Sequence, residues 1–521
     1  MSGWRSKRSV AALYERRSGG HRPPLQYLRL LSSVLCLLGA GCSKRTAAPA
    51  ESVLRISQRN EPATLDPQRA TLPDEFFIIR ALGEGLLTPN PDGGVPLPGV
   101  AEKWAVSPDG LTYTFHLRPD AKWSNGDPVI AADFARSIER ALTPATAAPK
   151  AALFLPLKNA RVFYSGREAD FTAVGLRAPD TRTLVLTLAQ PNPDFPAIVA
   201  SGPWIPVHQT TNIGNGPFVL VEWKPNQHIT VRKNPLYWNA AAVKLDRIQF
   251  LAFDNGDSEE RAFRAGQLDV TMAVPVTKLA GYRTAQPPVL HSVPLHETRY
   301  LALNTTRPPL NDPRVRRALA LALDRTALGE KVLQGGQQPA FNFVPAGLGG
   351  YASATHLKED AAEARRLLAE AGFPAGHGFP RLEVTTWVNS PVIEAIQQMW
   401  RRELGIEVAL AQREARTHLA ALASGDYAIG FMTAIPDYDG ASDLLTQLTT
   451  GHAANYPHWS SAEYDRLVAA GQWAQAENIL LNEMPLVPLY FNAQNFLVAP
   501  RVKNWRADRL WTRTYTDLYL Q

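Results

Sequence analysis

Along residues 111–118 apolar and polar side chains alternate, Leu111, Tyr113, Phe115 and Leu117 against Thr112, Thr114, His116 and Arg118. A period of two predicts a strand buried on one face, entered through the Asp109-Gly110 turn. His116 then falls on the polar face, as a solvated side chain and not a ligand. Past the Asn125-Gly126 turn the spacing becomes helical over 132–142. A second strand pair is predicted in 215–239, connected by Pro225-Asn226. A helix over 258–264 stops at Gly266, a residue suited to the left-handed C-terminal position.

The second half changes period. Asp312-Pro313 supplies a cap and a first-turn proline before the stripe Val315, Ala318, Leu319, Ala322. Helix 360–371, strand 382–387, a helix from Ser390-Pro391 to Gly405, strand 406–410, helix 414–424 and strand 428–433 follow, and 462–483 reads as one helical run. This alternation predicts a doubly wound parallel α/β lobe, whose ligands lie beyond the carboxyl ends of the strands. At that end stands AIPDYDGAS, residues 434–442. No G-x-G-x-x-G follows any of these strands, so a dinucleotide is not the expected ligand.

The N-terminal pattern is of another kind. A head carrying Arg5, Lys7, Arg8, Arg16, Arg17, Arg22 and Arg29 precedes an uncharged run from Leu30 to Gly41. That run is shorter than the about 20 residues of a membrane-spanning helix and has the form of a secretory signal. Both cysteines are here, Cys36 within the run and Cys42 just past its end. The small residues before Cys42 resemble the lipobox of bacterial lipoproteins, with Gly39 where Leu is usual, which implies lipidation at Cys42. Residues 1–41 are then the signal and 42–52 a tether, and the exported chain carries no disulfide.

This changes the charge picture. The chain has 54 Lys+Arg against 48 Asp+Glu, but the leader holds seven of the basic residues and one acidic residue, leaving the remainder neutral. No basic, aromatic-interleaved stripe remains, so nucleic acid is not an expected partner. About 470 residues after the tether call for two or three domains. No H-E-x-x-H, G-x-S-x-G, P-loop or His/Cys cluster is present, and no cofactor or metal is expected.

The ordered set LDP (65–67), EGLLTPNPDG (84–93), LPGVAEKWAVSPDGLTYTFHLRPDAKWSNGDPVIAADF (97–134), NGPF (215–218), KNPLYWN (233–239), LNTTRPPLNDPRVRRALALALDR (303–325) and EMPLVPLY (483–490) resembles the peptide-binding class, family 5, of ABC-importer solute-binding proteins. The resemblance implies an α/β, two-lobed periplasmic-binding-protein fold of type II, with an extra domain inserted in lobe I. Lobe I would comprise 53–84, 172–296 and 490–521, the inserted domain 85–171, and lobe II 297–489. It also implies a monomer that captures a short peptide, delivers it to an ABC permease and is held to the membrane through Cys42. Trp123, Asn125, Gly126 and Asp127 read as a turn with a packed indole, and Tyr237 and Trp238 as structural too. Ile130 stands where the family commonly has a capping Thr.

The resemblance places the ligand's α-amino group against Asp437, with Tyr438 beside it, while Asp439 suits a cap for the next helix. Phe431 and Ala434 occupy positions where oligopeptide binders often carry Arg and Trp. Tyr490 and Asn492 lie on the hinge return, and Arg299 or Arg307 is a candidate for a ligand carboxylate. These departures leave room for another solute, such as an oligosaccharide, a metal chelate or an opine-like acid. A two-carboxylate hydrolase is the remote alternative.

Overall fold

The structure, a computed structural model, describes residues 51–521 apart from 59, 211, 507 and 508. The signal and Cys42 lie outside the described residues. Among the described residues no helix is long and apolar enough to cross a membrane.

The first lobe is built on a four-stranded sheet in the order Val53–Gln58, Arg247–Ala252, His228–Lys233, Phe218–Lys224. Leu54 pairs with Ile248 and Ile56 with Phe250 across a parallel ladder, and all four are buried. Phe77, Ile78 and Ala81 of helix Pro73–Leu82 cover them, and Trp511, Tyr515 and Leu518 of the C-terminal return fill the same core.

A second four-stranded sheet, Ala101–Val106, Thr112–Leu117, Thr183–Thr187, Leu176–Arg177, carries the strand read from the alternation at 111–118. Tyr113 opposes Leu186 and Phe115 opposes Leu184, so 176–187 shares one core with 112–117. The inserted region therefore continues past the boundary expected at 171. Helix Ala131–Leu142 packs Phe134, Ile138 and Ala141 onto this core. Trp123 is buried there, with its indole N–H donated to Asp133 at 2.9 Å.

The second lobe holds a six-stranded sheet in the order Gln338–Pro339, Leu486–Leu497, Leu290–Leu303, Ile429–Ala434, Leu382–Thr386, Val408–Gln412. Only the last three strands run parallel. The expected wholly parallel sheet is mixed, because the two long strands antiparallel to each other also belong to it. Those strands, Leu290–Leu303 and Leu486–Leu497, are the hinge. Val293, Leu295 and Phe496 pack into the first lobe's core, and Leu301, Leu303, Val487 and Leu489 into the second lobe's. Their register breaks between Pro294 and Thr298, where the chain passes between the cores. The run 462–483 is two helices, Ala462–Ala469 and Trp473–Glu483, divided where Gly471 takes φ +67°.

Candidate functional site

Strand Ile429–Ala434 is nearly all buried and delivers its following loop at the edge of the hinge, with Ala434 opposite Thr298. Residues 435–442 then reach the first lobe. Ile435 packs against that lobe's core, and the ring of Tyr438 enters the core of the second sheet. The Tyr438 hydroxyl lies 2.9 Å from Ser442 Oγ, which in turn donates to Asp194. Asp439 accepts from the backbone N–H of Gly349 at 2.6 Å and of Gly94 at 3.3 Å. Asp439 thus bridges segments and does not cap helix Ala441–Thr446, whose N-cap is Gly440.

Asp437, the residue expected to meet a ligand's ammonium, meets an ammonium of the chain itself. Lys150 Nζ donates to Asp437 Oδ1, the two side chains being 21% and 26% exposed. Lys150 enters from the 3₁₀ turn Ala151–Phe154, which is fixed by the stacking of Phe154 on Trp204 with ring centroids 4.6 Å apart. Asp437 N–H donates to Asp443 Oδ2 at 2.6 Å. Burial raises the pKa of Asp443, and the charge of Asp437 adds to the effect. Burial works against the charge of Lys150, but Asp437, Asp443 and Glu75 more than offset it and its pKa is raised.

A cavity of about 520 Å³ lies beside this loop, lined among others by Asn90, Asp92, His296, Asp439, Trp505 and Arg513. Its size is within the range of small-ligand sites. A smaller recess, also lined by Asn90 and Asp439, reaches Asp437 and Tyr438. Arg513 is held between the rings of Phe77 and Trp505, 4.5 Å from each centroid. Burial lowers the pKa of His296.

At the hinge a second polar group forms. Glu297, 2% exposed, accepts from Arg299 at 2.9 Å, Thr433 at 3.0 Å and Asn492 at 3.1 Å. The Arg299 guanidinium lies over Trp387 and Phe431, whose rings stack 5.6 Å apart. Tyr490 stands opposite Arg299 in the ladder, and burial pushes its hydroxyl up to about 12. Of the expected site residues, Arg299, Phe431, Tyr490 and Asn492 come together at the hinge, and Asp437 and Tyr438 on the inter-lobe loop. Arg307 joins neither. It pairs with Asp426 at 3.2 Å beyond the far end of strand Leu290–Leu303, with the side chains 47% and 80% exposed. That places it on the outer surface, because the strand runs away from the hinge before Arg307 is reached.

Sequence reading missed Lys150 and the C-terminal lining of the cavity. Lys150 did leave a signal, as the sole charged residue between 141 and 157. A charge inside an apolar run asks for a partner.

Two lobes on a two-strand hinge, with a charged loop carried across the gap, make a clamshell that can enclose a solute. The chain belongs to the bacterial extracellular solute-binding proteins, family 5, whose model matches residues 95–456. It is 33% identical to the probable deoxycholate-binding periplasmic protein YgiS of Escherichia coli (strain K12), over 95% of this chain and 99% of that one. The Escherichia coli murein tripeptide binding protein MppA superposes with TM-score 0.81 at 30% identity, covering 90% of this chain and 98% of MppA. Its unliganded open form superposes less well, at 0.73. Haemophilus influenzae OppA in complex with the peptide RPPGFSPFR gives 0.79 at 28% identity, covering 90% of this chain and 99% of that chain.

Proposed function

We propose that this chain captures short peptides between its lobes, outside the cytoplasmic membrane, and presents them to an ABC import permease. The observation that carries this reading is the loop 435–442, which in a family of solute-binding proteins crosses from the second lobe to the first and meets it at a charged pair. A relative named for murein tripeptide binding and another solved in complex with the peptide RPPGFSPFR support the substrate class. Peptide main chain would be held by backbone N–H and C=O groups at the lobe edges, as an added strand. Side chains would occupy hydrated pockets that tolerate varied sequences. Closure follows the ligand's differential affinity for the closed form, and no bond is broken. The leader supports export, and Cys42 supports a lipid anchor.

A second reading takes a non-peptide carboxylate as the solute. Lys150 favours it, since a neutralised Asp437 makes no demand for an ammonium, and one relative is named for deoxycholate.

Thermal unfolding in the presence of di- to hexapeptide pools, oligosaccharides and deoxycholate tests both. A ligand at 100 times its Kd adds about 2.7 kcal/mol. Stabilisation by peptides alone is the expected result. Stabilisation by deoxycholate alone moves the function to the second reading.

A further inference from the structure

We infer that Lys150 is a built-in substitute for a ligand's amino terminus, and that the peptides this chain prefers are blocked at that end, as N-acyl peptides are. The inference rests on the peptide reading above and adds the chemistry of one ligand end.

Asp437 of the inter-lobe loop lines the smaller recess together with Asp439, and of the two it is Asp437 that meets an ammonium from the opposite lobe. An incoming α-ammonium must displace Lys150 or share one carboxylate with it, and like charges at such distances repel. Lys150 has nowhere equivalent to go. Glu75 is committed to three backbone donors, Ala63 N–H at 3.0 Å, Thr71 N–H at 2.7 Å and Leu72 N–H at 3.0 Å. Asp443 already accepts from Asp437 N–H, and burial draws it toward its neutral form. A displaced Lys150 would be a largely desolvated, unpaired cation, which is costly.

A blocked peptide avoids that cost and gains a contact. An ammonium carries three donors, and Asp437 is the partner of one. The carbonyl oxygen of an acyl cap can accept another, in a charge-assisted hydrogen bond. Specificity then comes both from this attraction and from the repulsion of free amino termini.

The test uses tetrapeptide pools made in matched free-amine and N-acetyl forms. Binding is measured by calorimetry to the wild type, to Lys150→Met and to the Lys150→Met/Asp437→Asn double variant. The wild type is expected to favour the acetylated form by roughly tenfold or more, and Lys150→Met to reverse that preference by a similar factor. The double variant, which leaves no unpaired charge if the single one fails to fold, is expected to distinguish the two forms by less than about threefold. A wild type that favours free amines, or variants that keep the wild-type preference, overturns the inference while leaving peptide binding intact. Binding of neither form to any of the three proteins removes the peptide reading, and the inference with it.

Discussion

Lys150 of the first lobe and Asp437 of the second form an ion pair across the cleft, between residues 287 positions apart. Neither side chain is more than about a quarter exposed, so the pair lies between the surface and buried limits. Removing one partner of such a pair is expected to cost about 1–3 kcal/mol. Because the pair exists only when the lobes meet, that cost falls on the closed form. Unliganded Lys150→Met is therefore expected to populate the open form more than the wild type, read as a larger radius of gyration in small-angle scattering. An unchanged radius would show that the pair does not hold the lobes.

Three of the motifs that carry the family resemblance, 84–93, 97–134 and 233–239, meet at Glu84. Its carboxylate accepts from Tyr237 Oη at 2.5 Å and Trp238 Nε1 at 2.7 Å, and Arg118 stacks over Trp238 at 3.7 Å. Burial raises the pKa of Glu84 from 4.5 to about 7, although both hydrogen bonds and Arg118 oppose it. The folded chain holds this proton more tightly than the unfolded chain. The stabilisation is complete below about pH 4.5 and is lost as pH rises through about 7, a change of about 3 kcal/mol. Urea midpoints of the wild type should fall across that window relative to those of Glu84→Gln. Parallel curves would contradict the assignment.

Glu477 fastens a loop of the second lobe. Buried at 0% exposure, it accepts from Phe343 N–H at 2.9 Å, Val344 N–H at 2.8 Å, Tyr351 Oη at 2.7 Å and Ser353 Oγ. Glu477→Ala strands these donors and is expected to cost roughly 3–5 kcal/mol, with a smaller loss in Glu477→Gln. Equilibrium unfolding of both variants checks the order.

Helix Ala131–Leu142 begins without a side-chain cap, since its N-cap is Ile130. The backbone N–H of Ile130 already donates to Asp133 Oδ2 at 3.0 Å. Ile130→Thr supplies the missing acceptor for the first turn and is expected to add about 0.5–1 kcal/mol, measured by urea unfolding. A loss of stability would mean that the packing of Ile130 outweighs the cap.

The elements legible in the sequence are those specified locally. Alternation at 111–118, the turn at Asn125-Gly126 and the cap at Asp312 each depend on neighbours a few positions away, and each reappears in the structure. The ordered motifs carried the two-lobed fold. Long-range facts were less visible. The direction of the hinge strands, which makes the second lobe's sheet mixed, depends on pairings such as Leu290 with Leu497. Asp439 looked like a cap because the helix after it is local, whereas Gly94 and Gly349, which it binds, are far away in the chain. Asp437 was singled out through the resemblance. Its partner Lys150 was not, because the charge on an apolar run says that a partner exists and not which one.

On the reading proposed above, the space between the lobes holds a peptide. Native mass spectrometry of the purified protein, followed by denaturation to release whatever travelled with it, tests this most directly. A family of mass additions that resolve into short peptides is the expected result. A single non-peptide molecule, or a protein whose mass is unchanged after exposure to peptide pools, would contradict it.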